Sequence, residues 1–195
     1  MLKMTQMVPI FSGAGAVSVV GTRMKEYECK RVLLMYGPEM KRLGFADKVK
    51  NHLIEAGLDV VEYDKIVPEP NDTDIDNNVS FVRNSGADGC VALGGGSTMD
   101  TAKALLGLST REGTSIRDHM FHRTANQWLN NNGYKLICIP TTSGTGSEVS
   151  ESAVITDTAM GFKSSFKYPA DLAILDPELT VTMPKYLTAE TAMDA

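Results

Sequence analysis

The sequence predicts an α/β fold in which an open, doubly wound, mainly parallel sheet carries helices on both faces. Short apolar runs recur along the chain, amphipathic stretches separate them, and two of the runs end in turns of small residues. Strands that alternate with helices form right-handed crossovers, which place the strands parallel in one sheet. Both faces of such a sheet are covered, so its strands are expected to be almost continuously apolar.

Predicted strands and helices alternate through most of the sequence. Residues 45–57 repeat apolar side chains at helical spacing and end in Gly57, a residue suited to a helix C-cap. A second helical repeat covers residues 74–84. The polar stretch 120–134 predicts a surface loop. Strands are predicted at 31–36, 58–63, 89–93, 135–139, 153–156 and 172–175.

Composition and charge argue against several classes of protein. The chain has 195 residues, of which 43% are hydrophobic and 22% are charged, as is ordinary for a globular domain. A net charge of -5 argues against a surface that binds nucleic acid or anionic membrane. No apolar run is long enough to cross a membrane, and no signal-peptide core is found. Cys29, Cys90 and Cys138 lack metal-type spacing, which predicts buried, reduced thiols in a cytoplasmic protein.

The strongest candidate for a ligand site is the glycine turn, Gly94-Gly95-Gly96-Ser97. A predicted strand precedes it and a predicted helix follows it. Glycines let a backbone approach a ligand closely, and the first N–H groups of a helix have no partner within the helix. The helix dipole favours negative charge at the same place, so the turn suits a diphosphate. The alternative is that the glycines only form a tight turn between strand and helix.

A second turn of small residues, the threonine turn at 141–145, follows the strand at 135–139. It contains Thr141, Thr142 and Thr145, and a helix is predicted after it. Ligands of open α/β sheets bind beyond the carboxyl ends of the strands, where both turns would lie. The alternative is that its hydroxyl groups serve as helix caps.

Two further candidates have two interpretations each. Asp100 is either a carboxylate that favours the helix start or an acceptor for the polar end of a ligand. Gly13-Ala14-Gly15 is similar to part of a dinucleotide fingerprint, but Ser18 replaces the third glycine. A turn into the first helix is therefore the better interpretation of that segment.

Taken together, these segments resemble the iron-containing, or group III, alcohol dehydrogenases, and the resemblance covers nearly the whole chain. Several ordered motifs at family-like spacing are more specific than a glycine triplet alone. The stretch 140–148 is closer to the iron-dependent branch than to the sister branches of glycerol dehydrogenase and dehydroquinate synthase relatives. The matching segments are FSGAGAV at 11–17, GGGS at 94–97 with Asp100, PTTSGT at 140–145 with Glu148 and Val149, VITD at 154–157 with Lys163, and LDP at 175–177 running to MDA at 193–195.

The resemblance implies a Rossmann-like dinucleotide-binding domain at 1–183, followed at 184–195 by the start of a helical metal-binding domain. The rest of that C-terminal all-helical domain would be absent from this sequence. The implied enzyme transfers hydride between NAD or NADP and a primary or secondary alcohol or its aldehyde. A divalent metal, usually Fe2+ and sometimes Zn2+, would act as a Lewis acid on the substrate oxygen. The family's dimers imply a homodimer that pairs through the N-terminal strand, here residues 5–11.

The resemblance also assigns residues to the site, although no catalytic side chain among them. The glycine turn would hold the pyrophosphate, the threonine turn would line a ribose, and Asp100 would lie near the nicotinamide. Lys163 would reach a ribose hydroxyl, unless it is a solvated turn lysine. The implied cofactor-binding residues are Gly37, Gly94, Gly95, Gly96, Ser97, Asp100, Thr141, Thr142, Thr145, Val154 and Lys163, and the implied metal ligand is Asp194.

The sequence departs from the family's metal site. That site uses one Asp and three His, whereas here the sequence ends one residue after Asp194. His52, His119 and His122 lie elsewhere, and the pair at 119 and 122 lacks a third ligand. Asp194 alone is expected to be an exposed residue on a frayed terminal helix. We therefore expect the chain to lack alcohol dehydrogenase activity, and the alternative function is a non-catalytic nucleotide-binding or subunit-interaction module.

A second departure concerns the choice of cofactor. Many family members place an Asp after the strand that corresponds to 31–36, where its carboxylate bonds the adenosine ribose and repels a 2′-phosphate. This sequence has Gly37-Pro38 there. Because that repulsion would be absent, NADP is expected to bind at least as well as NAD.

Overall fold

Eight strands and six α-helices make up the part of the chain that the structure, a computed structural model, describes: residues 8–111, 113, 115–121 and 133–195. The strands are β1 (Ile10–Ser12), β2 (Arg31–Tyr36), β3 (Asp59–Tyr63), β4 (Gly89–Gly94), β5 (Lys135–Pro140), β6 (Ser152–Asp157), β7 (Phe162–Lys167) and β8 (Leu172–Leu175). The α-helices are α1 (Val20–Glu26), α2 (Pro38–Arg42), α3 (Phe45–Glu55), α4 (Asp72–Asn84), α5 (Gly96–Ser109) and α6 (Lys185–Asp194). Short 3-10 helices cover Ala16–Val19, Ile116–His119 and Pro177–Leu179.

Six strands form one parallel sheet in the order β1-β8-β5-β4-β2-β3. From β2 the chain moves outward to the edge strand β3 and then crosses back past β2 to β4 and β5. The direction of winding therefore reverses between β2 and β4, and their carboxyl ends form the switch point of the sheet. Tyr36 pairs with Leu93 across these strands, so the turns that follow begin side by side. The predicted open, doubly wound, mainly parallel sheet is confirmed.

Helices cover both faces of this sheet, as predicted. Along β2 the side chains alternate between two apolar clusters: Leu33 and Met35 pack with α4 and α5, whereas Val32 and Leu34 pack with α1 and α3. The central strands are thus buried on both faces. This is why the sequence shows them as unbroken apolar runs.

The predicted helices form where their apolar repeats indicate. The repeat at 45–57 becomes α3, which ends before Gly57, a residue with a left-handed φ of 79°. The repeat at 74–84 becomes α4, which begins slightly earlier because a side chain caps it. The Asn71 Oδ1 accepts a hydrogen bond from the N–H of Asp74 at 2.9 Å.

The first and last strands of the sheet are neighbours. β1 pairs with β8, and the turn at Gly13-Ala14-Gly15 leads into a 3-10 helix and α1, as predicted. Asp176, directly after β8, accepts hydrogen bonds from the N–H groups of Gly15 and Val17 at 3.1 Å each. Of the N-terminal strand predicted at 5–11, residues 5–7 lie outside the described residues.

The helix predicted after the threonine turn is wrong. Residues 147–149 form a turn that leads to β6. Carbonyl groups that would take part in such a helix bind the Lys103 side chain instead. Its Nζ donates to the Ser147 oxygen at 2.6 Å and to the Ser150 oxygen at 2.9 Å. A buried amine thus supplies the hydrogen bonds that a helix would have supplied.

β6 lies outside the main sheet. It pairs antiparallel with β7 in a separate two-stranded sheet, and β7 had not been predicted. Ala153 and Ile155 are buried while Val154 between them is exposed, so β6 has one apolar face. Of the loop predicted at 120–134, residues 122–132 lie outside the described residues.

The cysteines lie in the interior, as predicted. Cys29, Cys90 and Cys138 are buried and form no disulfide. Burial raises the pKa of Cys29 to about 11 and the pKa of Cys138 to about 12, so both thiols stay protonated at neutral pH. Within the described ranges, no helix has the length and apolar character needed to cross a membrane.

Candidate functional site

A cleft of about 450 Å³ opens at the carboxyl edge of the sheet, over the switch point between β2 and β4. Apolar side chains form much of its wall, including residues from the segment after β3 and from the segment that leads into α6. The glycine and threonine turns form its polar floor. The predicted cofactor residues that line it are Gly37, Gly94, Gly95, Ser97, Thr141 and Thr142.

The glycine turn leaves β4 at Gly94 and enters α5 at Gly96, and no side chain caps the helix. The carbonyl of Gly95 accepts a hydrogen bond from the N–H of Thr98 at 3.0 Å. The N–H groups of Gly96 and Ser97 have no hydrogen-bond partner among the residues that the structure describes. The turn therefore presents free donors at the positive end of the helix dipole, which is the arrangement that binds anions.

Close packing explains why this turn needs glycines. Gly94 has a φ of 155°, and a Cβ there would lie 2.3 Å from Oγ1 of Thr98. A Cβ on Gly96 would lie 2.9 Å from Cγ2 of Thr145. The two turns are also joined by a hydrogen bond, because the N–H of Thr141 donates to the Gly94 oxygen at 2.9 Å. The fold itself thus requires glycines in this turn, as the tight-turn interpretation from the sequence expects, and the ligand-site interpretation stays a prediction.

Asp100 does not line the cleft. It lies beyond the first turn of α5, and its Oδ1 accepts a hydrogen bond from Oγ of Ser147 at 2.7 Å. The backbone N–H of Val154 also donates to this carboxylate. Burial raises the pKa of Asp100 above its ordinary value, against the opposing effects of the Ser147 hydrogen bond and the Lys103 charge. The carboxylate is therefore bonded within the protein, next to the end of the threonine turn.

Lys103, one helical turn further along α5, is fully buried. Its Nζ donates to the backbone oxygens of Ser147, Ser150 and Ser152 at 2.6, 2.9 and 3.0 Å. Burial lowers the pKa of Lys103, although the nearby carboxylates of Asp100 and Glu148 favour the charged form. The side chain ties the segment after the threonine turn to the helix after the glycine turn.

Besides Asp100, the predicted residues Gly96 and Thr145 are not part of the cleft lining, although they lie within the two turns, where they pack against each other. Three further predicted residues lie away from the cleft wall. Val154 is on β6, and its exposed side chain does not face the cleft lining. Lys163 is on β7, where its Nζ is 3.8 Å from Oε1 of Glu69 and its side chain is 62% exposed. Asp194 is exposed at the end of α6. The structure thus brings together the glycine turn, the threonine turn and Gly37, but not these three residues.

The metal ligands of the family have no counterpart cluster in the described part of the chain. No group of three or more His, Cys, Asp or Glu side chains there is placed to hold a metal. His52 lies on α3 and His119 ends a 3-10 helix, whereas His122 is outside the described residues. Structural and catalytic metals take three or four protein ligands. Asp194 as a single carboxylate therefore does not fit an iron or zinc ion.

The last helix borders the cleft. Tyr186 and Leu187 of α6 belong to the lining. A Cβ on Gly144 would lie 2.5 Å from the backbone oxygen of Thr191, so α6 packs directly on the threonine turn. The segment that the resemblance assigns to the start of a helical domain thus forms a helix, Lys185–Asp194, which contacts the α/β unit.

Sequence reasoning missed several residues of the site. Glu39 and Arg42 of α2 line the cleft, as do Ile66 and Val67 after β3. No local sequence pattern identifies these residues as part of a site. The segments after β2 and β3 meet at the cleft only because of the strand order of the sheet. Lys103 had a local signal, since it is a charged residue within the apolar helix run TAKALLGL.

An open parallel sheet with helices on both faces and a switch point between β2 and β4 defines a doubly wound α/β protein, a class whose ligands bind at the carboxyl edge of the sheet. The family model described as iron-containing alcohol dehydrogenase matches residues 8–177. The chain belongs to the iron-containing alcohol dehydrogenase family. The resemblance found in the sequence motifs is thereby confirmed.

Individual relatives match over nearly the whole chain. The NAD-dependent methanol dehydrogenase of Bacillus methanolicus is 38% identical over 186 residues, which are 94% of this chain and 48% of the relative. The NADPH-dependent butanol dehydrogenase of Clostridium saccharobutylicum is 34% identical over 203 residues, covering 100% of this chain and 50% of the relative. An iron-containing alcohol dehydrogenase structure from Thermococcus thioreducens has a TM-score of 0.88 and 32% identity, covering 98% of this chain and 51% of that one. The chain spans about half the length of these relatives.

Proposed function

We propose that this chain binds NAD or NADP in the cleft and forms the cofactor-binding part of an alcohol oxidoreductase. The observation that carries the proposal is the start of α5, where the free N–H groups of Gly96 and Ser97 meet the helix dipole at the switch point. Family membership supports hydride transfer to or from an alcohol or aldehyde. The activity and substrates of the whole protein belong to the proposal because the chain spans about half the length of its relatives.

The lining residues support one placement of the cofactor. The pyrophosphate would bind at the glycine turn, and one half of the dinucleotide would lie over Gly37 and the apolar wall. The other half would follow the threonine turn, where Thr141 and Thr142 line the cleft. The contact of Lys163 with a ribose hydroxyl and the cofactor-binding role of Val154 stay predictions, because both residues lie away from the wall.

Bound NAD or NADP would supply the hydride acceptor or donor. The residues of this chain would hold the cofactor: the helix N–H groups bind the pyrophosphate charge, and the threonine hydroxyls orient the neighbouring sugar. The apolar wall would keep water away from the bound rings. Asp100, bonded to Ser147, would hold the threonine turn in position. We assign no catalytic side chain within the described ranges.

We propose residues 1–183 as the cofactor-binding domain and 184–195 as the start of a helical region that would contribute to a metal site. The described residues do not fit iron or zinc, so no step is assigned to a metal here. A homodimer through β1, whose exposed Ile10 and Phe11 lie on an edge strand, belongs to the same proposal, as does a cytoplasmic location.

A second candidate function is a non-catalytic nucleotide-binding or subunit-interaction module. The observation that favours it is the lack of a metal-ligand cluster among the described residues. It shares the cofactor site with the first candidate but predicts no turnover in any longer form of the protein. Turnover by a form that carries further metal ligands would therefore decide between the two.

An amide-resolved NMR titration of the chain with NAD+ and NADP+ tests cofactor binding. We expect saturable shifts at the amides of Gly95, Gly96 and Ser97, because these groups would bind the pyrophosphate. Adenosine, which carries no phosphate, is the control ligand and is expected to leave these amides unmoved. Absence of shifts at millimolar dinucleotide would contradict the proposed function.

An activity assay tests the expected lack of chemistry. With Fe2+ and a series of primary and secondary alcohols supplied, the 195-residue chain is expected to produce no NADH or NADPH, since Asp194 has no partner ligands among the described residues. Metal-dependent turnover by the purified chain would show that expectation to be wrong.

A further inference from the structure

We propose that Arg42 binds the 2′-phosphate of NADP, so that the cleft selects NADP over NAD, and that Glu39 is the counter-ion that limits this preference. The inference rests on the proposed function, and it takes the adenosine half of the dinucleotide to be the half that lies over Gly37. It adds a specificity-determining pair of side chains to a site that was otherwise described by backbone groups and hydroxyls.

The charges of the cleft wall single out this pair. Among the described residues that line the cleft, Arg42 is the one cation and Glu39 is the one anion. Both side chains are open to solvent, with exposed fractions of 69% and 59%. The other lining residues are apolar or carry hydroxyl groups. A phosphate bound in the cleft beyond the glycine turn therefore has one charged side chain with which to pair.

The position of α2 places Arg42 at the expected end of the cofactor. α2 begins directly after Gly37, and Arg42 is its last residue. Gly37 follows Tyr36, whose partner across the strands is Leu93 near the end of β4. Because neighbouring strands lie about 4.8 Å apart, Gly37 adjoins the glycine turn. A ribose joined to a pyrophosphate at that turn would lie beside the start of α2.

The pairing with Glu39 leaves donors on Arg42 for a second anion. The Arg42 Nε lies 3.1 and 3.0 Å from Oε1 and Oε2 of Glu39, and its Nη2 also contacts Oε1. Arginine carries five N–H groups in a planar fork, so this pairing uses one side of the guanidinium. The remaining N–H groups have the geometry that binds phosphate in a bidentate manner.

The role of Glu39 follows from the same contacts. A carboxylate near the adenosine ribose can accept hydrogen bonds from the ribose hydroxyl groups and so favour the binding of NAD. Both oxygens of Glu39, however, face the Arg42 guanidinium. Its negative charge offsets part of the positive charge of Arg42 and repels a 2′-phosphate. Removal of that charge is therefore expected to strengthen the binding of NADP.

Lys41 provides a matched control. It precedes Arg42 and carries the same charge, but it does not line the cleft. Its Nζ lies 2.5 Å from Oδ1 of Asp47 and 3.7 Å from Oε2 of Glu62. A general effect of positive charge on nucleotide binding would respond to Lys41→Gln as well as to Arg42→Gln.

The experiment compares the affinities for NADP+ and NAD+ of the complete chain and of Arg42→Gln, Glu39→Gln and Lys41→Gln, measured by NMR titration. These two dinucleotides differ only by the 2′-phosphate. Arg42→Gln is expected to weaken the binding of NADP+ about tenfold and to leave the affinity for NAD+ nearly unchanged. Glu39→Gln is expected to strengthen NADP+, and Lys41→Gln to leave the ratio of the two affinities unchanged. Circular dichroism melts show whether the variants keep the fold.

Two results would overturn the inference while the proposed function stands. In both, the unaltered chain binds NAD+ and NADP+, but Arg42→Gln either changes neither affinity or changes both affinities equally. A selective loss of NAD+ binding in Glu39→Gln would assign Glu39 to the ribose hydroxyls instead. A different result, in which the unaltered chain binds neither dinucleotide, would remove the proposed function itself.

Discussion

Asp100 and Lys103 place two charges inside one helix, and the segment after the threonine turn compensates both. Asp100 accepts a hydrogen bond from Ser147, and Lys103 donates to three backbone oxygens between 147 and 152. An uncompensated charge at such sites would strongly destabilise the fold. The turn at 147–149 and the buried charges of α5 therefore depend on each other.

The raised pKa of Asp100 predicts a specific pH dependence of stability. The folded chain holds this proton more tightly than the unfolded chain, so it binds more protons in the window between the ordinary pKa of 3.8 and the raised value. Stability contributed by Asp100 therefore falls as pH rises through that window. Asp100→Asn keeps an acceptor for Ser147 but cannot ionise. Each tenfold difference in proton affinity between the folded and the unfolded chain changes the free energy of unfolding by about 1.4 kcal/mol.

Urea unfolding of both chains across a pH series measures this effect. We expect the stability of the unaltered chain relative to Asp100→Asn to decrease from acid to neutral pH. Asp100→Asn serves as the control for the unaltered chain, because the two chains share every titrating group except Asp100. A stability difference that does not depend on pH would contradict the prediction.

The contacts of single residues mark the limit of prediction from sequence. The glycine turn could be found because a need for small residues after a strand is a local property. The role of Lys103 could not, because its partner Ser147 is 44 residues away along the chain. Arg42 and Glu39 enter the site only through the strand order, which the sequence does not state.

At the scale of elements, the glycine turn and the threonine turn form one unit. A side chain added at Gly96 would collide with Thr145, and Thr141 is hydrogen-bonded to Gly94. Each turn is therefore the packing surface of the other. The anion site at the start of α5 depends on a loop that comes after the next strand of the sheet.

Gly96→Ala is expected to destabilise the chain by about 1–3 kcal/mol, because its Cβ would lie 2.9 Å from Cγ2 of Thr145. Alanine has a better helix propensity than glycine, so propensity alone predicts the opposite sign. Thr145→Ala removes the colliding atoms and is expected to recover much of the loss. A double-mutant cycle from urea unfolding measures this coupling, expected to be about 1 kcal/mol or more.

Gly95→Ala serves as the graded control for that cycle. Its Cβ would meet Oγ1 of Thr142 at the longer distance of 3.2 Å, so a smaller loss of stability is expected. Additive effects of Gly96→Ala and Thr145→Ala would show that the two turns are not packed as described.

As with single residues, the secondary-structure elements that can be predicted from the sequence are those with a local pattern. The helices α3 and α4 and the central strands follow local apolar patterns, and all were predicted near their observed positions. β7 was missed because Phe162-Lys163-Ser164-Ser165-Phe166-Lys167 contains no apolar run. The helix predicted after the threonine turn fails because a distant lysine takes its carbonyl groups.

For the whole molecule, an ion cluster of one half-buried arginine and two buried carboxylates holds the sheet of β6 and β7 against the main domain. The Arg117 Nε lies 3.3 Å from Oδ2 of Asp72 and 3.2 Å from Oδ1 of Asp157. Asp72 opens α4 and Asp157 ends β6, and both are buried. The N–H of Thr156 also donates to the Pro70 oxygen at 3.0 Å. The two-stranded sheet is therefore held at several points.

Arg117→Gln is expected to destabilise the whole domain, because it removes the cation that pairs with the buried carboxylates of Asp72 and Asp157. Lys48→Gln is the control, since Lys48 pairs with Glu178 at the surface, at 3.4 Å. We expect Arg117→Gln to lower the free energy of unfolding at least roughly twice as much as the control does. Equal effects in chemical denaturation would show that the cluster adds no more than a surface ion pair.

The pairing of β1 with β8 at the edge of the sheet affects the order in which parts of the chain can fold. β1 pairs with β8, and the carboxylate of Asp176 that holds the N–H of Gly15 lies 161 residues further along the chain. Contacts between such distant segments form late, because a long loop must close first. During synthesis, Ile10 and Phe11 leave the ribosome on an unpaired strand edge, which is prone to aggregation until its partner strand has been made. Although β1 is made before β8, it is thus among the last strands of the sheet to pair.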